Sequence, residues 1–148
     1  RKYEYRMSAL KSPFLTDLSY HYYKPLRVDW MNEAAHLLLC HEDFECFSRV
    51  KTEVNHFRCQ ITEARWEQSR DSSQTELLVF HIQADRFLRG MVRAVVGTLL
   101  LVGRGQATIA DFERIILSKD RKQAGQAVPP QGLFLTKVGY PAGLFTQQ

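Results

Sequence analysis

Long apolar runs are missing from this 148-residue sequence. The best candidate, Thr98 to Val102, falls far short of the roughly 20 residues that a membrane-crossing helix needs. No membrane partner is therefore expected. Cysteines are few and odd in number: Cys40, Cys46 and Cys59. No secretory leader pattern precedes them, so they read as reduced, cytoplasmic thiols rather than as a disulfide framework. His36, His41 and His56 stand near them in sequence and raise a zinc reading. No CxxC or HxxxH pair occurs, however, and Cys59 sits at an apolar position of a strand pattern. No metal is expected. Several catalytic signatures are also missing. There is no Gly-x-Ser-x-Gly elbow, no Walker loop and no Gly-x-Gly-x-x-Gly opening a helix. Gly103-Arg104-Gly105 ends a helical pattern and so makes a poor phosphate cradle. Asp43 with Glu45, and Asp111 with Glu113, read as surface or capping charges rather than as an acid/base couple.

What is present is a mildly basic chain. The formal net charge is +4 and the pI is near 9.1, with 45% hydrophobic and 24% charged residues. That composition fits a single globular domain spanning 1–148. The charge permits a nucleic-acid or other anionic partner without proving one. Arg1 opens directly into a strand pattern, which reads as a piece of a longer protein.

The order of elements follows from periodicity. Tyr3, Tyr5 and Met7 alternate in a first strand. Lys11 to Lys24 reads as a loop with aromatic anchors at Tyr20-His21-Tyr22-Tyr23. Asp29 is placed to cap a helix running to about Cys40, with Trp30, Ala34, Leu37 and Leu38 buried. His56 to Glu67 and Thr75 to Ala84 form a hairpin around a polar turn at Ser69 to Ser73, with a bulge near Ala64. Thr108 caps a helix whose Ile109, Phe112, Ile115 and Ile116 face inward. Leu133 to Tyr140 is a last strand. This order predicts an α+β fold: a mainly antiparallel sheet with helices packed on one face.

The stretch from Asp85 to Gly105 draws the most interest. Read as one helix at about 100° per residue, it carries Arg86, Arg89, Arg93 and Arg104 on one stripe. Gly90 and Gly97 lie beside them. Leu88, Met91, Val92, Val95, Leu99 and Val102 lie opposite. A basic stripe opposed to an apolar one is an amphipathic helix seated on a core. Interior glycines cost about 1 kcal/mol each; beside the arginines they would let a partner approach closely. Taken with the exposed aromatics, this reads as a nucleic-acid-facing surface more than as a closed pocket.

Four segments, in order, resemble the C-terminal half of TruA-type tRNA pseudouridine synthases. They are Arg1-Lys2-Tyr3-Glu4-Tyr5-Arg6; Leu38-Leu39-Cys40-His41-Glu42-Asp43-Phe44-Glu45-Cys46-Phe47; Phe87-Leu88-Arg89-Gly90-Met91-Val92-Arg93 followed by Gly97; and Lys119-Asp120-Arg121 followed by Pro129-Pro130-Gln131-Gly132-Leu133-Phe134-Leu135. The resemblance implies an isomerase that converts uridine to pseudouridine in the anticodon stem-loop of tRNA. It implies no cofactor and no metal, a flipped-out base, a cytoplasmic location and a homodimer.

Site residues follow from the same resemblance. Tyr3 matches the active-site tyrosine and Arg93 the arginine that pairs with the catalytic aspartate. Leu133 matches the leucine packed on the target base. Arg86, Arg89, Arg49, Lys51 and Arg121 are candidate phosphate contacts. The aspartate's Arg-Thr-Asp-Ala-Gly motif is absent from this sequence. The nucleophile is therefore expected on an N-terminal half that these residues do not include, and this chain alone is expected to be inactive. The rival reading is a non-catalytic RNA-binding module.

Overall fold

A hairpin of two long strands carries the sheet. The computed structural model describes residues 1–9, 18–49 and 54–138. Its strands are β1 (Lys2–Ser8), β2 (Tyr20–His21), β3 (Ile61–Arg70), β4 (Glu76–Ala84) and β5 (Leu133–Lys137); its helices are α1 (Val28–Leu37), α2 (Met91–Gly103) and α3 (Ile109–Ser118). β4 lies between β3 and β1, antiparallel to both. The other edge of β1 is shared. β5 pairs antiparallel with its first half, Tyr5 opposite Leu133, and β2 pairs parallel with its end, Met7 opposite Tyr20. The expected α+β class, with a mainly antiparallel sheet, is what the chain adopts.

Strand parity decides where the core sits. Tyr5 and Met7, Ala64 and Trp66, and Phe80 and Ile82 are buried. They cluster with Met31, Ala34 and Ala35 of α1, with α2, and with Phe112, Ile115 and Ile116 of α3. Residues of the opposite parity are mostly charged and paired with one another. Glu4 meets Arg6 at 3.2 Å, Arg65 meets Glu63 at 2.7 Å, and His81 meets Glu67 at 3.2 Å. One face of the sheet is thus covered by helices, and the other carries ion pairs along β1 and β3 and the His81–Glu67 contact between β4 and β3.

α2 is the most buried helix. Of its thirteen residues only Arg93 and Leu101 are not buried. Its C-terminus falls where the Gly-Arg-Gly sequence predicts, with Gly105 at φ 77°. Thr108 starts α3 with a full capping box. Its hydroxyl accepts from the Asp111 amide at 3.0 Å, and the Asp111 carboxylate accepts from the Thr108 amide at 2.8 Å.

Several sequence expectations need correction. The helix expected from Asp85 begins only at Met91. Gly90 precedes it at φ 72°, a left-handed conformation that ends the irregular segment before it. Asp85 instead accepts from the amides of Gln60 and Arg86, holding a turn. The continuous arginine stripe therefore does not exist, because Arg86 and Arg89 precede the helix. Trp30 is not in the core. It is 37% exposed, with the Arg27 guanidinium 4.0 Å from its ring centroid. Arg27, not Asp29, precedes α1, and no side chain caps that helix. β3 starts at Ile61 rather than His56, and its irregularity lies between Ile61 and Glu63 rather than at Ala64. Tyr20-His21, expected in a loop, forms β2. The loop expected over 11–17, the phosphate contact expected of Lys51 and the last strand's end beyond 138 lie outside the described residues.

Candidate active site

Three elements converge at the N-terminal end of α2. β1 supplies Tyr3 and Tyr5 on its core-facing side. β5 supplies Leu133, directly opposite Tyr5 in register. The first turn of α2 supplies Arg93, which is half-buried while its helical neighbours Val92 and Ala94 are fully buried.

Arg93 is fixed by a backbone strap formed by residues 125–129. Its Nε donates to the Val128 carbonyl at 2.7 Å, and the Val128 amide donates back to the Arg93 carbonyl at 3.1 Å. The strap is anchored at both ends. The Gly125 amide donates to Thr98 Oγ1 at 2.8 Å, while Thr98 donates to the Ala94 carbonyl one turn back. At the other end the Tyr5 hydroxyl donates to the Pro129 carbonyl at 2.6 Å. Gly97 permits the approach. A Cβ there would overlap the Gln126 carbonyl. The glycine taken from sequence as room for an outside partner is thus filled by the chain's own backbone.

The electrostatics single out Arg93. Among the described residues it has no carboxylate partner, and its two Nη nitrogens make no hydrogen bond. A guanidinium held at Nε presents its Nη fork in a fixed direction, a geometry suited to bidentate capture of a carboxylate. Tyr5 lies close enough to feel the cation. Burial and Tyr20 push its phenol above the ordinary tyrosine range, and Arg93 pulls against that shift. Tyr5 is therefore a neutral hydrogen-bond donor.

Tyr3, two residues before Tyr5, points to the same face of the sheet. Its ring meets Phe87 edge-on, with centroids 5.1 Å apart and planes at 84°. Its hydroxyl has no hydrogen-bond partner among the described residues. Tyr3 on β1 and Leu133 on β5 thus lie in the sheet, and Arg93 in the first turn of α2 packed against it.

The basic residues separate into two kinds. Arg86 turns back onto the chain: its Nη1 lies 3.2 to 3.3 Å from His56 Nδ1 and from the carbonyls of His56 and Arg58 on an exposed turn. Arg121 Nη1 donates to the Gly125 carbonyl at 2.9 Å and closes the loop that leads into the strap. Both have structural employment. Arg89 is exposed, and its carbonyl accepts from the Arg49 amide at 3.1 Å, which brings two exposed arginines side by side. Lys51 lies outside the described residues.

Sequence reasoning missed Tyr5, Phe87 and the 125–129 strap. Tyr5 carried a usable signal, since a tyrosine at a core position needs a partner for its hydroxyl. The strap carried none, because its contacts are made by backbone atoms. Cys40 is exposed, and Cys46 and Cys59 are buried and free. Among the described residues no group of three or more His, Cys, Asp or Glu side chains is placed to hold a metal ion, and no helix is long and apolar enough to cross a membrane.

Comparison with known proteins finds relatives along the whole chain. A family model described as tRNA pseudouridine synthase matches residues 34–141. Proteins called tRNA pseudouridine synthase A are similar along nearly the whole chain. That of Porphyromonas gingivalis is 48% identical over 145 residues, and that of Bacteroides fragilis 44%; each alignment covers 98% of this chain and 56% of the relative. The Chloroflexus aurantiacus protein is 38% identical over 148 residues, covering 97% of this chain and 52% of its own. The chain spans about half the length of the curated relatives it matches.

Proposed function

We propose that this chain, which belongs to the tRNA pseudouridine synthase family, forms the C-terminal half of such an enzyme and builds one wall of its active site. The observation that carries the reading is the Nη fork of Arg93, anchored through Nε and without a carboxylate among the described residues. Such a group awaits an anion from outside this chain. An aspartate contributed by an N-terminal half, in an Arg-Thr-Asp-Ala-Gly context, meets that need.

In this reading the aspartate attacks a uridine flipped out of its stem. The bond from the ribose to N1 breaks, a bond from the ribose to C5 replaces it as the aspartate is released, the C5 proton leaves and N1 gains one. Arg93 keeps the carboxylate ionised and oriented. The unpartnered Tyr3 hydroxyl faces the base and assists proton removal. Leu133 packs on the base, and Arg49, Arg89 and Lys51 meet the tRNA phosphates. Arg86 and Arg121, whose Nη1 atoms bind backbone carbonyls of this chain, turn their remaining Nη2 atoms to the RNA. No cofactor is required. The homodimer and cytoplasmic location that accompany this family reading belong to the same proposal.

The test is complementation. This chain alone should form no pseudouridine in a tRNA anticodon stem-loop transcript. Joined to an N-terminal half bearing the aspartate motif, it should do so. Turnover by the chain alone would overturn the assignment of the nucleophile; absence of turnover in the joined protein, with tRNA binding intact, would favour the non-catalytic RNA-binding module.

A further inference from the structure

Arg93 depends on more than its own helix. Its Nε has a single acceptor, the Val128 carbonyl, and that carbonyl belongs to a strap outside any regular element. Where the strap lies determines where the guanidinium points. Besides Arg121 at its start, two core side chains hold it there. Thr98, fully buried on α2, accepts from the Gly125 amide. Tyr5, fully buried on β1, donates to the Pro129 carbonyl, which immediately follows Val128.

The Tyr5 ring is itself held. It meets Tyr20 with centroids 6.4 Å apart. A Cβ on Gly132 would come within 2.9 Å of the ring and 2.6 Å of the Arg6 carbonyl. The ring therefore has little room to swing, and its hydroxyl is a fixed point for the strap. The phenol stays protonated, so it can donate continuously to a carbonyl. The chain Tyr5 to Pro129 to Val128 to Arg93 connects the sheet to the guanidinium through hydrogen bonds and one peptide link.

We infer that Tyr5 is a positioning residue for the isomerisation, acting through the Val128–Pro129 backbone to aim the Arg93 guanidinium. This inference rests on the role proposed above for Arg93. Misplacing a catalytic group by about 1 Å costs up to about 100-fold in rate, so losing one anchor of the strap should be visible in turnover while substrate binding stays intact.

A double-mutant cycle in the joined, aspartate-bearing protein tests it. The variants are Tyr5→Phe, which removes the hydroxyl and keeps the ring, Arg93→Ala, and the pair. Tyr5→Phe should lower kcat about tenfold, within that range, with KM for the tRNA transcript changed less than about twofold. In the Arg93→Ala background the same change should have no further effect on kcat. Multiplicative losses in the pair would overturn the inference, because Tyr5 would then act independently of Arg93. Near-normal kcat for Arg93→Ala would instead overturn the role of Arg93, so the two failures are distinguishable. If Tyr5→Phe does not fold, as judged by its thermal melt, Thr98→Val releases the other end of the strap and should show the same kcat-only loss and the same dependence on Arg93. An unchanged kcat in Thr98→Val would then count against the inference.

Discussion

Arg93 and Val128 are bonded in both directions, side chain to carbonyl at 2.7 Å and amide to carbonyl at 3.1 Å. The side-chain bond uses Nε and leaves the Nη pair for another partner. Lysine cannot reproduce this division, because its single ammonium has no fixed fork. Arg93→Lys should therefore behave as a loss of function despite conserving charge. The buried Val128 carbonyl loses its partner as well, so stability should fall by about 1 kcal/mol. Urea unfolding of the chain alone checks the second effect, and turnover of the joined protein checks the first. A lysine variant with full activity would mean that charge without direction is enough.

Gly90 and Gly97 differ in why they must be glycine. Gly97 sits in α2 with the Gln126 carbonyl where a Cβ would be. Gly97→Ala gains helix propensity of about 1 kcal/mol, but it must push the strap off the helix, an overpacking that costs about 1–3 kcal/mol. Around Gly90 there is open space, yet its φ is 72°. Gly90→Ala then costs only the left-handed conformation, about 1–2 kcal/mol. The two variants separate on Arg93. Displacing the strap in Gly97→Ala should expose the Arg93 Nε proton to exchange, measurable by NMR, whereas Gly90→Ala should leave it protected.

Those two glycines also show what could be read from sequence. Alternation in β1, β3 and β4, the Thr108 cap and the Gly-Arg-Gly stop were legible because each is a local signal with a local cause. The start of α2 was not. Asp85 is an acceptable cap and the apolar period continues back through Leu88. Only Gly90's backbone angle and the Asp85 bonds to Gln60 and Arg86 place the boundary six residues later. Trp30 was misplaced because an apolar residue on a helix looks buried unless its neighbours are known; here Arg27 stacks on it at the surface. Tyr3, Arg93 and Leu133 came from family resemblance rather than from periodicity. The strap that orients Arg93 is held by backbone groups, so no residue type in 125–129 announces it.

Burial governs the thiols. Cys46 is pushed up to about 12 by burial and then by Asp43, with Arg121 opposing; Cys59 is pushed up to about 11 by burial, with Arg86 opposing. Both folded values lie above the ordinary thiol value of 9.0. The folded state therefore holds these protons more tightly than the unfolded state. Their contribution is fully present below about pH 9 and is lost as pH rises toward 11 and 12. Chemical denaturation midpoints should fall between pH 8 and pH 10.5, and the fall should be shallower in Cys46→Ala, whatever that variant's stability at pH 8. At pH 8 iodoacetamide should label Cys40 in the native protein, with Cys46 and Cys59 labelled only after unfolding.

Arg86 and Arg89 stand three residues apart and should fail differently. Arg86 Nη1 serves the turn at 56–58. Arg86→Ala removes the donor for two carbonyls on an exposed turn, so its main effect should be on stability, about 1 kcal/mol. The turn also leads through Arg58 into the bridge with Asp43, so loosening it reaches the start of β3. Arg89 is exposed and has no side-chain partner among the described residues. Arg89→Ala should leave the unfolding midpoint unchanged. If Arg89 meets a phosphate, the variant should weaken tRNA binding and reduce the slope of log affinity against log salt by about 1. Filter-binding titrations across a salt series, alongside urea melts of both variants, check the pair. An Arg86→Ala variant that keeps its midpoint and loses salt slope would reverse the assignment, putting the RNA contact on the arginine that turns back onto the chain.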